Sequence, residues 1–403
     1  METCDVAIVG GGPAGSTCAW KLRQAGLDVL VVDKARFPRD KTCTGWITPQ
    51  VVEALLLDIA EYASRRVFQP IDGFYVALFG PSGLGQPGLG PSAPGRPEPG
   101  RTDVAPPGIR VRFPQPVSYG IRRCEFDDYL LRRSGARLRL DEPVRSLERT
   151  AGGWVLNGTL EARMLVGAGG HFCPVARWMR SARPGGDRER GHLVTALEAE
   201  FPILSEETAS RTEATVPRLY FRDDLSGYGW CVRKGDYLNV GLGLVDSRES
   251  AADLPRLLGL LDRERAYAGA VPVRFHGHAY YLYDGCRSEV FDDAVLLIGD
   301  AAGLAYPQSG EGIRPAVESG ILAAGVIAEA GGRYEKSRLA PYRERLVGRL
   351  GAPPPQWLGS TGVWPLPAVR KMLVRQLLRI PWFVRNTVIR SSFLHAHEPA
   401  LFA

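Results

Sequence analysis

The 403-residue chain contains no run of about eighteen consecutive apolar residues, so no segment reads as a membrane span. A secretory leader is also missing: Glu2 and Asp5 stand where a signal peptide carries positive charge, and the first apolar run ends at Val9. The seven cysteines (Cys4, Cys18, Cys43, Cys124, Cys173, Cys231 and Cys286) are odd in number, scattered, and form no Cys-x-x-Cys pair. That argues against a disulfide framework or a zinc site and for reduced thiols in a cytoplasmic protein. Lysine-rich runs are absent, and aromatics are not interleaved with basic residues, so no nucleic acid is expected as a partner. No internal repeat is present. The net charge of +6 is unevenly spread: residues 341–403 hold nine Lys/Arg against two Glu.

Apolar residues make up 45% and charged residues 23%, which suits a globular protein with a sizeable core and room for two or three domains. The most informative segment is the first. Val6 to Val9 runs directly into Gly10-x-Gly12-x-x-Gly15, and Asp33 closes a second apolar run, Val29 to Val32. This is a strand, a glycine turn, a helix, a second strand and an acid. One glycine makes the tight turn, one lets backbone approach a pyrophosphate, and one lets helix and strand pack closely. The helix N-terminus offers N–H groups and partial positive charge to phosphates. Asp33 lies 18 residues beyond Gly15, where a carboxylate accepts the hydroxyls of an adenosine ribose.

Further along, Pro49 to Leu57 reads as a short helix and Gly73 to Phe79 as a strand. Residues 80–108 are rich in Gly and Pro and read as an irregular surface loop. Cys124 to Ser134 reads as a helix. Arg137 to Arg149 and Gly153 to Leu160 read as antiparallel strands, and Met164 to Ala168 as a short buried one. Strands are expected over His192 to Phe201, Arg218 to Phe221, Gly229 to Arg233 and Tyr237 to Val245, with a helix from Ala252 to Ala268. Ala294 to Ile298 returns to a buried strand, and Gly312 to Ala330 is a long helix. Residues 341–403 are mostly helical between prolines. Within them Val369 to Ile380 is amphipathic, with Lys371, Arg375 and Arg379 on one face. Residues 368–403 could therefore lie on an anionic membrane surface, or pack on the body with a solvated basic face.

Three other segments belong with the first. Val295 to Asp300 is a strand ending in an exposed carboxylate, followed by Pro307-x-x-Gly310-Glu-Gly312-Ile313, which opens a helix. Arg123-x-x-Phe126-Asp127 opens another, and Leu165-Val-Gly167-Ala168-Gly169-Gly170 ends a strand. In these the chain resembles flavoproteins of the p-hydroxybenzoate-hydroxylase fold. Within them it is similar to the geranylgeranyl reductase family, through Lys41-Thr-Cys43-Thr-Gly45-Trp46 and Tyr228-Gly-Trp230-Cys-Val-Arg-Lys234.

The resemblance implies an α/β (α+β overall) fold. Its parts are a Rossmann-like FAD-binding domain (1–70, 109–185 and 284–345), an inserted antiparallel-sheet substrate domain (71–108 and 186–283) and a helical C-terminal region (346–403). It implies FAD as cofactor, with Asp300 on the ribityl chain and the helix after Gly312 aimed at the pyrimidine end of the isoalloxazine, where a helix N-terminus stabilises the anionic reduced flavin. The cofactor-binding candidates are Gly10, Gly12, Pro13, Ala14, Gly15, Asp33, Lys34, Cys43, Gly45, Arg123, Val144, Asp300, Gly310, Gly312 and Ile313. The catalytic candidates are Cys43, as flavin contact or proton donor, and Trp230, packing the substrate; a loop residue and a core aromatic are the plain alternatives. Gly169 stands where the family carries an aspartate that helps bind both FAD and the nicotinamide cofactor, which argues against tight NAD(P)H use; the reductant is NADPH or another donor, such as a carrier-delivered reduced flavin or a ferredoxin-like protein.

The implied activity is reduction of carbon–carbon double bonds of an apolar, isoprenoid-like substrate. The alternative is hydroxylation of an aromatic or polyketide-like compound, and the third reading is a non-catalytic flavin binder. Halogenation is disfavoured: the matching region has one tryptophan, Trp230, and no lysine lies between Lys41 and Lys234. Arg233 replaces an apolar residue of the reductase motif and is expected to point away from the pocket by strand alternation. His276, His278, His395 and His397 are read as structural or surface residues, with no carboxylate nearby to complete a metal set.

Overall fold

A computed structural model describes residues 1–79, 108–182, 192–204, 212–222, 226–245, 250–264, 274–286, 289–352 and 376–402. The 80–108 loop, apart from Gly108, and the Val369–Arg375 part of the amphipathic segment lie outside the described residues.

Strand β1 (Glu2–Val9), helix α1 (Pro13–Gln24) and strand β2 (Val29–Asp33) form the opening unit. β2 is buried along its whole length, as expected of a central parallel strand covered on both faces. The parallel core of the first sheet runs Val295–Leu297, Leu160–Gly167, β1, β2, Arg137–Leu140. The long helix Ile313–Glu329 crosses α1 closely: a Cβ on Gly320 would stand 2.6 Å from the Ala14 carbonyl oxygen.

Two details differ from the sequence reading. Arg137–Leu140 is a parallel strand beside β2, not part of an antiparallel pair; Asp141, at φ 61°, ends it, and Leu147–Thr150 pairs with Gly153–Leu156 instead. Leu160–Gly167 is one strand, because Asn157 (φ 51°) and Gly158 (φ 67°) turn the chain ahead of it.

The second sheet has seven strands in the order His276–Tyr281, Leu193–Pro202, Tyr237–Leu244, Gly227–Lys234, Arg218–Arg222, Gly73–Phe79, Ile109–Arg112. All pairs are antiparallel except Arg218–Arg222 with Gly73–Phe79. Ile109–Arg112, which the sequence boundaries put with the dinucleotide unit, is an edge strand here. Helix Ser250–Arg263 covers one face through Leu257, Leu260 and Leu261.

The other face looks toward the first domain and carries Phe74, Leu219, Trp230 and Val232. Its cover comes from the far end of the chain. Leu378, Val384, Ile389, Phe393 and Leu394 bury themselves there, and Phe393 lies 5.1 Å from the Tyr228 ring and 6.1 Å from Trp46. A small third sheet, Trp46–Ile47, Ser118–Ile121 and Phe68–Ile71, is paired antiparallel. No helix among the described residues is long and apolar enough to cross a membrane.

Candidate functional site

One cavity of about 550 Å³ runs between the two large sheets. At one end are Gly10, Gly12, Pro13 and Ala14; at the other are Asp300, Gly310, Gly312 and Ile313, facing Trp46, Tyr228, Trp230 and Tyr280. The chain therefore brings together parts that are 300 residues apart in sequence.

The glycine end is shaped by backbone. Gly10, at φ +116°, passes so close to Ala168 that a Cβ would stand 2.3 Å from its carbonyl oxygen. Gly12 caps α1 without a side-chain bond, and Pro13 occupies the first turn. The N–H groups of that turn thus have no partner within the helix and face the cavity mouth. The Asp33 carboxylate accepts the Gly11 N–H at 2.7 Å and the Ala35 N–H at 2.8 Å, which fixes it at the end of β2. Lys34 lines the cavity beside it. Gly15 does not line the cavity; its place is structural, since a Cβ there would stand 1.9 Å from the Gly10 carbonyl oxygen. Val144 is not in the cavity either. It packs against the core of the first domain.

The middle is cationic. Arg123 clasps the buried Asp127 with two bonds of 2.8 Å, and Arg39 reaches the same carboxylate at 3.2 Å. This pairing fixes both guanidinium groups against the cavity wall, and Arg39 Nη1 is buried without a partner. Burial would lower the pKa of Arg123, but Asp127 and the adjacent Cys43 thiol outweigh it and raise it. Lys41 is pushed down to about 8, first by burial and then by Arg123. Cys43 and Gly45 also line this wall; Gly45 adopts φ +69°, and a Cβ there would collide with the Ile121 carbonyl oxygen at 2.4 Å.

At the far end, Asp300 Oδ2 lies 3.4 Å from His278 Nε2. Burial acts to raise the Asp300 pKa, but the His278 bond and the Lys41 and Arg123 charges hold it below the usual carboxylate range. Burial pushes His278 down. His278 is thus a wall residue, against the expectation that it is merely structural, while His276 is exposed. A Cβ on Gly312 would reach Asp300 Oδ1 at 3.2 Å, so the helix Ile313–Glu329 starts against that carboxylate.

Glu311, just before that helix, accepts the Arg314 N–H at 2.7 Å, and burial lifts its pKa to about 7. Between about pH 4.5 and about pH 7 the unfolded chain loses this proton and the folded one keeps it, so stability falls as pH rises through that window. Glu311→Gln is expected to flatten this fall, and thermal unfolding from pH 5 to pH 8 against the parent protein checks it.

Trp230 is both a core aromatic and a wall residue. It is 4% exposed, its indole N–H donates to Asn239 Oδ1 at 2.7 Å, and its ring occupies the space left by Gly241. Arg233 turns away and donates to the Gly235 carbonyl at 2.9 Å. The sequence reading missed Arg39, Glu198, Tyr280 and Glu311. A second correction concerns the C-terminal histidines: Glu398 Oε1 lies 3.6 Å from His395 Nδ1 and 3.8 Å from His397 Nε2, so a carboxylate does accompany them.

The residues present fit FAD. A partnerless helix N-terminus and an orphaned Arg39 nitrogen suit a diphosphate, Asp33 suits a ribose, and the cavity continues past them to a second helix N-terminus. Comparisons with known proteins agree. Residues 5–77 match the FAD-dependent oxidoreductase family model. The chain is 31% identical over 346 residues to menaquinone reductase of Mycobacterium tuberculosis, covering 80% of this chain and 76% of that protein. It is 27% identical to digeranylgeranylglycerophospholipid reductase 1 of Methanothermobacter thermautotrophicus, over 85% and 81% of the two chains. The crystal structure of a geranylgeranyl bacteriochlorophyll reductase-like protein from Thermoplasma acidophilum superposes with a TM-score of 0.69 at 19% identity, covering 100% of this chain and 94% of the other. The chain belongs to the geranylgeranyl reductase family and is an FAD-dependent oxidoreductase.

Proposed function

We propose that this enzyme hydrogenates a carbon–carbon double bond of an apolar, isoprenoid-type molecule. The observation that carries the reading is the continuity of the cavity: beyond Asp300 and Gly312 it opens onto Trp46, Ala196, Tyr228, Trp230 and Tyr280, a largely apolar and aromatic wall. The relative named digeranylgeranylglycerophospholipid reductase points the same way, and the one named menaquinone reductase points to an apolar substrate. Bound FAD, when reduced, supplies a hydride from N5. The chain's own share is to bind and orient. Gly10, Gly12, Pro13, Ala14, Asp33, Lys34 and Arg123 would hold the dinucleotide; Cys43, Gly45, Asp300, Gly310, Gly312 and Ile313 would flank its ring system. Trp230 and Tyr228 would pack the alkene, and the Phe393 segment keeps water from that side.

The same C-terminal segment carries Trp382 at 69% exposure and Ile380 at 47%, and Arg379 and Arg390 are exposed on it too. An apolar pair among cations suits an anionic lipid surface, from which a lipid-like substrate would be drawn. A single experiment addresses both points. Chemically reduced holoenzyme is mixed without oxygen with menaquinone-4 carried in anionic vesicles. The expected result is enzyme pelleting with the vesicles and a product that is still heavier by two hydrogens after air has returned any quinol to quinone. Turnover that requires oxygen would instead establish the hydroxylase reading.

A further inference from the structure

We propose that Glu198 is the proton donor of the reduction, held as a neutral acid on the substrate side of the cavity; this rests on the double-bond reading above. Glu198 sits on strand Leu193–Pro202, directly across from Gly241 of the neighbouring strand. Because Gly241 has no side chain, Trp230 and Glu198 share the space over it: a Cβ there would stand 2.3 Å from Trp230 Cζ2 and 2.8 Å from Glu198 Cβ. The carboxyl group and the indole are therefore neighbours on the wall where an alkene would lie.

Glu198 is 5% exposed. Its Oε1 accepts the Cys43 N–H, while Oε2 is buried and has no partner. An ionised carboxylate with one bare oxygen in such a place is costly, whereas a carboxylic acid leaves only a weakly acidic O–H unpaired. The surroundings agree. Lys234, fully buried on the strand Gly227–Lys234 two places along the sheet, is claimed by Glu200 at 2.5 Å, and Arg122 holds the other oxygen of Glu200 at 3.0 Å. The charges nearest Glu198 are thus already paired with one another. Burial drives its pKa up against the opposing pull of Lys234, the Cys43 N–H and Asn239, with Glu200 adding to the rise.

Three other acids on the wall are committed elsewhere. Tyr228 gives its hydroxyl proton to the Ser309 carbonyl at 2.6 Å, and burial makes it a weaker acid. His278 is tied to Asp300. Glu311 belongs to the start of the opposite helix, where it holds the Arg314 N–H. In the step assigned to Glu198, the Oε2–H bond breaks and its proton forms one C–H bond with the π pair as the π bond breaks. The hydride pair forms the second C–H bond at the carbon left electron-deficient, and the carboxylate left behind is reprotonated by water after product leaves.

Glu198→Gln tests this, because an amide keeps the acceptor for the Cys43 N–H and removes only the acid. Infrared spectra of the holoenzyme at neutral pH should contain a protonated-carboxyl C=O band that Glu198→Gln removes. Formation of side-chain-saturated menaquinone-4 by the chemically reduced variant, assayed after air has returned any quinol to quinone, should slow by at least about 100-fold, with flavin content and melting temperature unchanged and partial recovery in Glu198→Asp. Either the lack of that band or a wild-type rate of side-chain saturation in Glu198→Gln overturns the assignment. If the parent enzyme leaves the side chain of menaquinone-4 unsaturated while the band is present, the double-bond reading falls and the protonated carboxyl stands.

Discussion

An Arg314→Met enzyme is expected to lose the C-terminal cover of the cavity and to unfold at a markedly lower temperature. Arg314 is 1% exposed, yet it is a charged group with five donors. Its Nε donates to Glu318 at 2.8 Å, Nη1 to the His395 carbonyl at 3.0 Å, and Nη2 to the Glu398 and Pro399 carbonyls at 3.0 and 3.1 Å. It sits in the first turn of the helix that begins against Asp300, so one side chain joins the flavin end of the cavity to the last described residues of the chain. Methionine matches the length but strands the His395 and Glu398 carbonyls; the Pro399 carbonyl keeps a bond from Arg349 at 2.7 Å. Arg349 still bonds Glu318 at 2.9 and 2.6 Å, which limits the damage to that carboxylate. Breaking a buried ion pair from one side costs about 3–5 kcal/mol. The sharper test is local: protease cleavage and amide exchange should rise first in residues 384–402. Uniform destabilisation, with that segment no more exposed than the rest, would show that Phe393 and Leu394 hold the cover without the arginine.

This clasp also shows where sequence reading stops. β1, the glycine turn, α1, β2 and Asp33 were legible because each is specified by neighbours in the chain: an apolar run, a turn residue, an acid at a fixed distance. Asp300 and Gly312 were legible for the same reason. The opposite wall was not. Glu198, Tyr280 and His278 come from two strands whose partners are set by the topology of the seven-stranded sheet, and an alternating pattern reports burial without naming what is faced. Arg314 looked like an ordinary polar position in a helix. Only contact with carbonyls some 80 residues later in the chain gives it a role. Ile109–Arg112 was assigned to the wrong side because short apolar runs do not reveal their sheet. Val144, a cofactor-binding candidate from the resemblance alone, packs against the core and does not line the cavity.

The second large effect separates two glycines of one motif. Gly15→Ala should yield little folded protein, and Gly12→Ala should fold normally yet bind no flavin. At Gly15 the new methyl would lie 1.9 Å from the Gly10 carbonyl oxygen and 3.2 Å from Ala168 Cβ. Neither partner can yield: Gly10 is locked by its own bond from the Gly10 N–H to the Val32 carbonyl at 2.8 Å, so α1 must lift off β1 and disturb its tight crossing with Ile313–Glu329. Overpacking costs about 1–3 kcal/mol where side chains can adjust, and more is expected where backbone meets backbone. At Gly12 the same methyl meets only Arg39 Nη2, at 3.6 Å, the end of a flexible side chain. It would project instead into the space where a pyrophosphate must approach the first turn of α1. Soluble yield and circular dichroism, read beside flavin absorbance after FAD addition, distinguish the two outcomes. A Gly12→Ala protein that stays yellow at parental affinity would mean that this turn does not cradle the phosphates, and the placement of the dinucleotide along the cavity would have to be redrawn from Arg39 and Arg123 alone.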